Sequence, residues 1–184
     1  MTLKISNMKI FNKLFPILLL AFFPVQSICQ QINSEASEIS FRIGNMRINT
    51  VSGTFNGMQG TVKFDTQDLA GSSFSVCINA ASVNTGNNRR DKHLKEEEYF
   101  DVEKYPDICY VSDIISRNNN GFITRGKLTI KGVTRIVSIP FVKEGNTLRG
   151  TFSLNRLDYN VGEGVSTFLV SNQVSLEITY IVQP

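Results

Sequence analysis

Gly121-Phe-Ile-Thr-Arg-Gly-Lys-Leu-Thr-Ile-Lys-Gly-Val-Thr-Arg-Ile-Val-Ser-Ile-Pro-Phe141 is the stretch that decides the fold. Phe122, Gly126, Leu128 and Ile130 fall on one face of an extended chain, and Val133, Val137, Ile139 and Phe141 on one face of the next. A period of two is the signature of half-buried strands. Between the two runs stands Lys131-Gly132, where glycine can take φ > 0 in a tight hairpin. The stretch therefore reads as two antiparallel strands sharing an apolar face.

The same alternation extends both ways along the chain. Ile39, Phe41 and Ile43 begin it, followed by Val51, Gly53 and Phe55, then Val62 and Phe64. Phe74, Val76, Ile78 and Ala80 form another run, and Ile108 and Tyr110 start the next. Beyond Phe141 come Leu148, Phe152 and Leu154, then Val174, Leu176, Ile178 and Tyr180. Asn56–Gly60, Arg117–Gly121 and Glu144–Asn146 read as the turns between antiparallel neighbours. Eight or nine such runs make a sandwich or a barrel. The expectation is an all-β fold, an antiparallel eight-stranded barrel. Gly44, Gly53, Gly60, Gly126 and Gly150 lie in or beside strands. Singly they mark bends or close approaches; together they are compatible with an open tunnel.

Gly86–Val102 breaks the pattern. It is charge-rich, has no β-branched residue before Val102, and suits a short helix near residues 88–100, centred on Asp91–Glu98. Pro106 restarts an extended strand.

The chain has 184 residues, 3 cysteines and a formal charge of +3. Residues 1–29 read as a secretory signal peptide: Lys4, Lys9 and Lys13 precede an apolar run from Leu14 to Val25. An uncleaved anchor is the alternative, and the run falls short of the ~20 apolar residues a span needs. Ser27 and Cys29 suit cleavage after Cys29; lipidation of Cys29 would need a small residue where Ile28 stands. The domain is then residues 30–184, with a periplasmic or secreted location. The three lysines carry the whole net charge, so this domain is neutral and a nucleic-acid partner is not expected. Two cysteines remain, Cys77 and Cys109. They fit either a disulfide in an oxidising compartment or two small buried side chains.

His93 is the single histidine. No zinc-type ligand spacing, nucleophile elbow, phosphate loop or dinucleotide fingerprint accompanies it. A structural His93 bonded to the backbone of its own loop is expected, with no catalytic, metal or cofactor site. The competing reading is a hydrolase or isomerase using Arg90, Asp91 and His93 on an apolar substrate. Arg90 is expected either to hold its loop by charge-assisted hydrogen bonds or to meet a polar ligand head.

Ala81–Asn87, Arg90–Leu94, Tyr99–Pro106, Gly126–Arg135 and Phe152–Tyr159 are separate blocks that, in this order, resemble the YceI-like family, and the resemblance spans about residues 35–182. It implies a lipocalin-like barrel with an elongated internal cavity for a polyisoprenoid, an isoprenoid quinone or a long-chain amide. Asn45 stands where many members carry histidine, so a role needing that histidine is not expected. The resulting expectation is a carrier or store for such a lipid. Its lining would be Phe41, Ile43, Phe55, Phe64, Phe74, Val76, Phe100, Ile108, Tyr110, Leu128 and Phe152, with Arg90 at one end. A structural envelope protein with a filled core is the bland alternative. A homodimer through an edge or a loop is compatible with the sequence, and no membrane span is expected once residues 1–29 are removed.

Overall fold

The computed structural model describes residues 30–46 and 48–182; residues 1–29, expected to be a signal peptide, lie outside them, and Cys29 with them. Ten strands form one antiparallel sheet: β1 (Gln30–Gln31), β2 (Glu38–Asn45), β3 (Asn49–Phe55), β4 (Gln59–Lys63), β5 (Ser73–Asn79), β6 (Asp107–Asn118), β7 (Gly121–Ile130), β8 (Val133–Glu144), β9 (Thr147–Asn155) and β10 (Val170–Ile181). Each of the nine alternating runs becomes one strand. The tenth, β1, is a polar pair with no alternation to betray it. The sheet thus has ten strands where eight were expected.

The strand order is β1-β4-β5-β6-β7-β8-β9-β10-β2-β3. β3 ends that order on one side and β4 stands next to its other end, beside the two-residue β1, yet only Asn56, Gly57 and Met58 separate β3 from β4 in the chain. From Phe55 to Gln59 the backbone can reach no more than about 14 Å, so the sheet must curl until its ends approach. The expectation that Asn56–Gly60 is a hairpin between paired neighbours is therefore corrected: it is the tether across the seam. Two small pairings secure the curl. Thr54 and Asn84 exchange backbone hydrogen bonds of 2.8 and 2.9 Å. Gln30 and Gln31 pair with β4, while Ile32 bridges to Val182 beyond β10.

The β7–β8 hairpin is as read. Lys131 and Gly132 both have positive φ, 48° and 73°, the primed turn that matches strand twist. Besides the β3–β4 seam, the wall is incomplete where β8 meets β9. β8 pairs with β9 only from Phe141 to Glu144, and Pro140 there has no N–H to donate. Residues 151–155 of β9 pair with β10 alone. The 3₁₀ turn Arg156–Tyr159 packs in the resulting gap, where Arg135 Nε donates to the Asp158 carbonyl at 3.2 Å.

Helix α1 spans Asn88–Lys95, about three residues earlier at each end than the Asp91–Glu98 centre expected. Asn87 explains the start, because its side chain accepts from Arg90 N at 3.1 Å and caps the first turn. The chain leaves the helix at Glu96, in extended conformation, and turns back through Phe100 N–H to Leu94 O (3.1 Å). Among the described residues no helix is long and apolar enough to cross a membrane.

Inside the curl, five rings fill one end. Phe122 and Phe141 are cross-strand partners stacked at 5.5 Å. Phe64 meets both edge-on at 4.8 and 5.2 Å, and Phe74 bridges Phe141 and Tyr180. Each ring sits at or near a strand terminus. Gly126 is a close-approach site: a Cβ there would lie 2.2 Å from Val111 O, beside the register shift in β6. Gly53 accommodates the Phe41 ring in the same way. Of the five strand glycines only Gly44 borders the interior space, so the tunnel does not come from missing side chains.

Cys77 and Cys109 are register partners on β5 and β6 and form a disulfide, with Cα atoms 4.1 Å apart. Their neighbours Val76, Ile78 and Tyr110 are buried, so the disulfide lies on the outer face. It closes a loop of 32 residues that contains α1, worth about 3–4 kcal/mol of loop-closure entropy. The double change Cys77→Ser/Cys109→Ser should lower the urea midpoint by an amount equivalent to about 3 kcal/mol while the far-ultraviolet circular dichroism stays that of a β protein.

Candidate functional site

The space enclosed by the curl is an apolar cavity of about 230 Å³, just below the ~300–1,000 Å³ of small-molecule sites. It runs from the α1 side of the molecule toward Ile139 and Tyr180, where the aromatic plug begins. Period-two alternation places its walls. Phe41 and Ile43 face it from β2, Phe55 from β3 and Val76 from β5. Ile108 and Tyr110 face it from β6, Leu128 from β7 and Phe152 from β9. Phe100 enters from the turn after α1, held edge-on to Phe55 at 5.4 Å. Arg90 completes the set. Phe64 and Phe74, expected among the lining, do not border the cavity; they belong to the plug, because their strand-end positions turn the rings onto one another.

The structure adds lining residues that periodicity did not single out. Met58 comes from the seam tether and is 1% exposed. Leu94 and Tyr99 come from the α1 segment, and Tyr159 and Val161 from the region after β9. None of these lies in an alternating run, so period two carries no signal for them.

Polar groups gather at the α1 end and are mostly committed to backbone. Arg90 donates from Nε to Thr85 Oγ1 (2.7 Å) and from Nη2 to Thr85 O (3.0 Å). The Asp91 carboxylate accepts from Thr85 N at 2.9 Å and from the Thr85 hydroxyl. Both side chains thus clamp Thr85, the loop-holding role among the two readings of Arg90. His93 does not bond its own backbone as expected. Its Nε2 lies 3.3 Å from Glu98 Oε2, and its ring meets Tyr99 edge-on at 4.9 Å. Arg90, Asp91 and His93 are therefore two separate clamps and not one relay.

Arg156 is the most consequential residue that residue-by-residue reading passed over. It is 4% exposed and borders the cavity. Burying a cation is costly unless its donors are satisfied. Here Nε donates to Ser171 O (3.1 Å), Nη1 to Val161 O (2.8 Å) and Gly162 O, and Nη2 to Val165 O (3.2 Å) and Val170 O (3.5 Å). Desolvation lowers its pKa from the usual arginine value, with the Tyr99 hydroxyl acting the other way. One guanidinium thereby gathers the whole segment 161–171 against the cavity, and Gly162 N–H to Glu98 O (2.9 Å) ties that segment to the turn after α1. Beside it, the Tyr159 hydroxyl is buried with no hydrogen-bond partner. Burial first, then Asp158, pushes its pKa up to about 12, so it remains a neutral phenol. Arg156→Lys keeps the charge but cannot span five carbonyls. It should make residues 161–171 the first site of limited proteolysis, with a loss of about 3 kcal/mol or more in urea unfolding.

Comparison with known proteins bears on this arrangement. Residues 30–181 match the family model described as YceI-like domain. A UPF0312 protein of Photorhabdus laumondii is 36% identical over 99 residues, covering 54% of this chain and 52% of that protein. One of Yersinia enterocolitica is 36% identical over 101 residues, covering 55% and 53%. The alignments thus span about half the length of these curated relatives. Among solved structures, BcnA of Burkholderia cenocepacia superposes with a TM-score of 0.74 at 27% identity, over 80% of this chain and 96% of that one. A polyisoprenoid binding domain from Saccharophagus degradans shares the fold, with a TM-score of 0.63 at 14% identity over 84% and 97%. With its whole described sheet inside the matched region, the chain belongs to the YceI-like domain family.

Proposed function

We propose that this protein carries or stores one long-chain, isoprenoid-like lipid in its internal cavity, as a binding protein and not a catalyst. The observation that carries the reading is the cavity itself: a curled sheet encloses apolar space, and its few polar side chains are largely occupied in holding loops. Each CH₂ moved from water into such a site contributes about 0.8 kcal/mol. A chain of ten or so carbons therefore offsets the several kcal/mol of lost freedom on association. The family membership supports the reading, as does the fold shared with a domain whose own ligand is a polyisoprenoid.

We further propose that residues 1–29 direct export, to the periplasm or outside the cell. The Cys77–Cys109 disulfide supports this, since such bonds persist in oxidising compartments.

Ile43 and Val174 are register partners on β2 and β10, both half-buried and both facing the cavity. Enlarging them tests occupancy without introducing charge. Ile43→Phe/Val174→Phe should weaken displacement of a fluorescent long-chain probe about tenfold while the melting temperature moves by only a few degrees. Native mass spectrometry of gently purified wild-type protein should show a mass excess that organic extraction identifies as lipid. Protein that neither carries nor takes up any long-chain lipid would overturn the proposal.

A further inference from the structure

The deep end of the cavity is not wholly apolar. Thr124 on β7 is 3% exposed, and its hydroxyl lies 2.8 Å from the Tyr110 hydroxyl. Along that face of β7 come Leu128, which borders the cavity, then Gly126, Thr124 and the plug residue Phe122. The Tyr110 phenol reaches across Gly126, where a Cβ would come 2.9 Å from its oxygen. Thr124 is the register partner of Ile139, which also borders the cavity. The two hydroxyls therefore meet where open space gives way to the plug. Tyr180 of β10 stands at the same junction: it borders the cavity, and its ring lies 5.6 Å from that of Phe74.

The proton count at this junction leaves donors over. Tyr110 and Thr124 have two O–H groups between them, and their mutual hydrogen bond uses one. The Tyr180 hydroxyl has no hydrogen-bond partner among the described residues, in a side chain only 5% exposed. Unlike the Tyr159 oxygen, which is sealed in without a partner, the Tyr180 oxygen is not enclosed on all sides. In a residue this buried, the space it meets is the cavity. Burial raises the pKa of both phenols, so each keeps its proton. Buried donors left unpaired are costly, and a native structure ordinarily supplies them an acceptor.

We infer, on the carrier reading, that Tyr110, Thr124 and Tyr180 form a subsite for an uncharged oxygen acceptor, a carbonyl above all, borne on the end of the lipid that enters first. The chain then trails toward the α1 end. Three features select this chemistry. The unused groups are O–H donors, so their partner must accept. The basic side chains bordering the cavity, Arg90, His93 and Arg156, belong to the α1 end and its collar, so an anionic head at the plug would be buried without a counter-charge. A bare hydrocarbon end would displace any water from these hydroxyls and return no hydrogen bond.

Three chains of equal length test the subsite: dodecyl methyl ketone, tetradecane and myristate, each titrated against a bound fluorescent long-chain probe. The ketone should bind about tenfold or more tighter than the alkane. Its infrared carbonyl band, when bound, should lie below its position in hexane, as for a hydrogen-bonded carbonyl. Tyr110→Phe/Thr124→Val/Tyr180→Phe removes the three hydroxyls and keeps both rings. It should bring ketone and alkane to about equal affinity and return the band to its hexane position. The melting temperature should change little, because both partners of the internal bond go together. Tyr180→Phe alone breaks no bond of the empty protein and should lower the ketone preference about threefold or more. Equal binding of ketone and alkane by wild type would overturn the subsite and leave the carrier reading standing. So would a ketone preference that survives the triple change, or tighter binding of myristate that the same change leaves intact. If none of the three chains binds, the carrier reading itself fails and the subsite with it.

Discussion

Three residues, Asn56 to Met58, impose the constraint from which the rest of the structure follows. They join β3, at one end of the sheet order, to β4, next to the other end, and a chain that short cannot bridge a flat sheet of that width. The sheet must roll up, and rolling up divides every strand into an inner and an outer face. Met58, 1% exposed, is drawn inside by the same tether that closes the roll. Once the inner faces are apolar, the interior is either packed solid or left open to an apolar guest. The molecule does both, at different depths.

At one depth, Phe64, Phe74, Phe122, Phe141 and Tyr180 meet ring to ring and leave no room. At the other, the strands end on a collar of short polar segments. Arg90 and Asp91 fix Thr85, and Arg156 fixes the carbonyls of 161–171. These charges lie beside apolar space, and their hydrogen bonds run mainly to the backbone of the collar. That arrangement reconciles a cation 4% exposed with an apolar cavity: the guanidinium organises the entrance and its donors are already satisfied.

Strand content, the hairpin at Lys131-Gly132 and most of the cavity wall were legible in the sequence, because alternation states directly which side chains turn inward. Phe64 and Phe74 were misplaced because period two gives the face of a residue and not its depth along the barrel; their ring contacts with Phe122, Phe141 and Tyr180 make them plug and not lining. Met58, Tyr99 and Arg156 were illegible for another reason. They lie in tethers and turns whose geometry depends on contacts far away in sequence, such as Gly162 with Glu98. The strand count differed through β1, two glutamines paired with β4. The pairing of Cys77 with Cys109 needed the β5–β6 register, which no local pattern supplies.

The partial pairing of β8 with β9 has a mechanical consequence. Every other ladder between long strands has five or more register pairs, whereas this one has four, all at the plug end, and the β3–β4 seam has no ladder at all. Toward the collar the wall is held there by the side chains and carbonyls of the Arg156–Tyr159 turn. At the plug end the strip between β8 and β9 is a backbone ladder, and toward the collar it is a side-chain seam, so substitutions in the Arg156–Tyr159 turn act on the wall of the cavity and leave its floor alone.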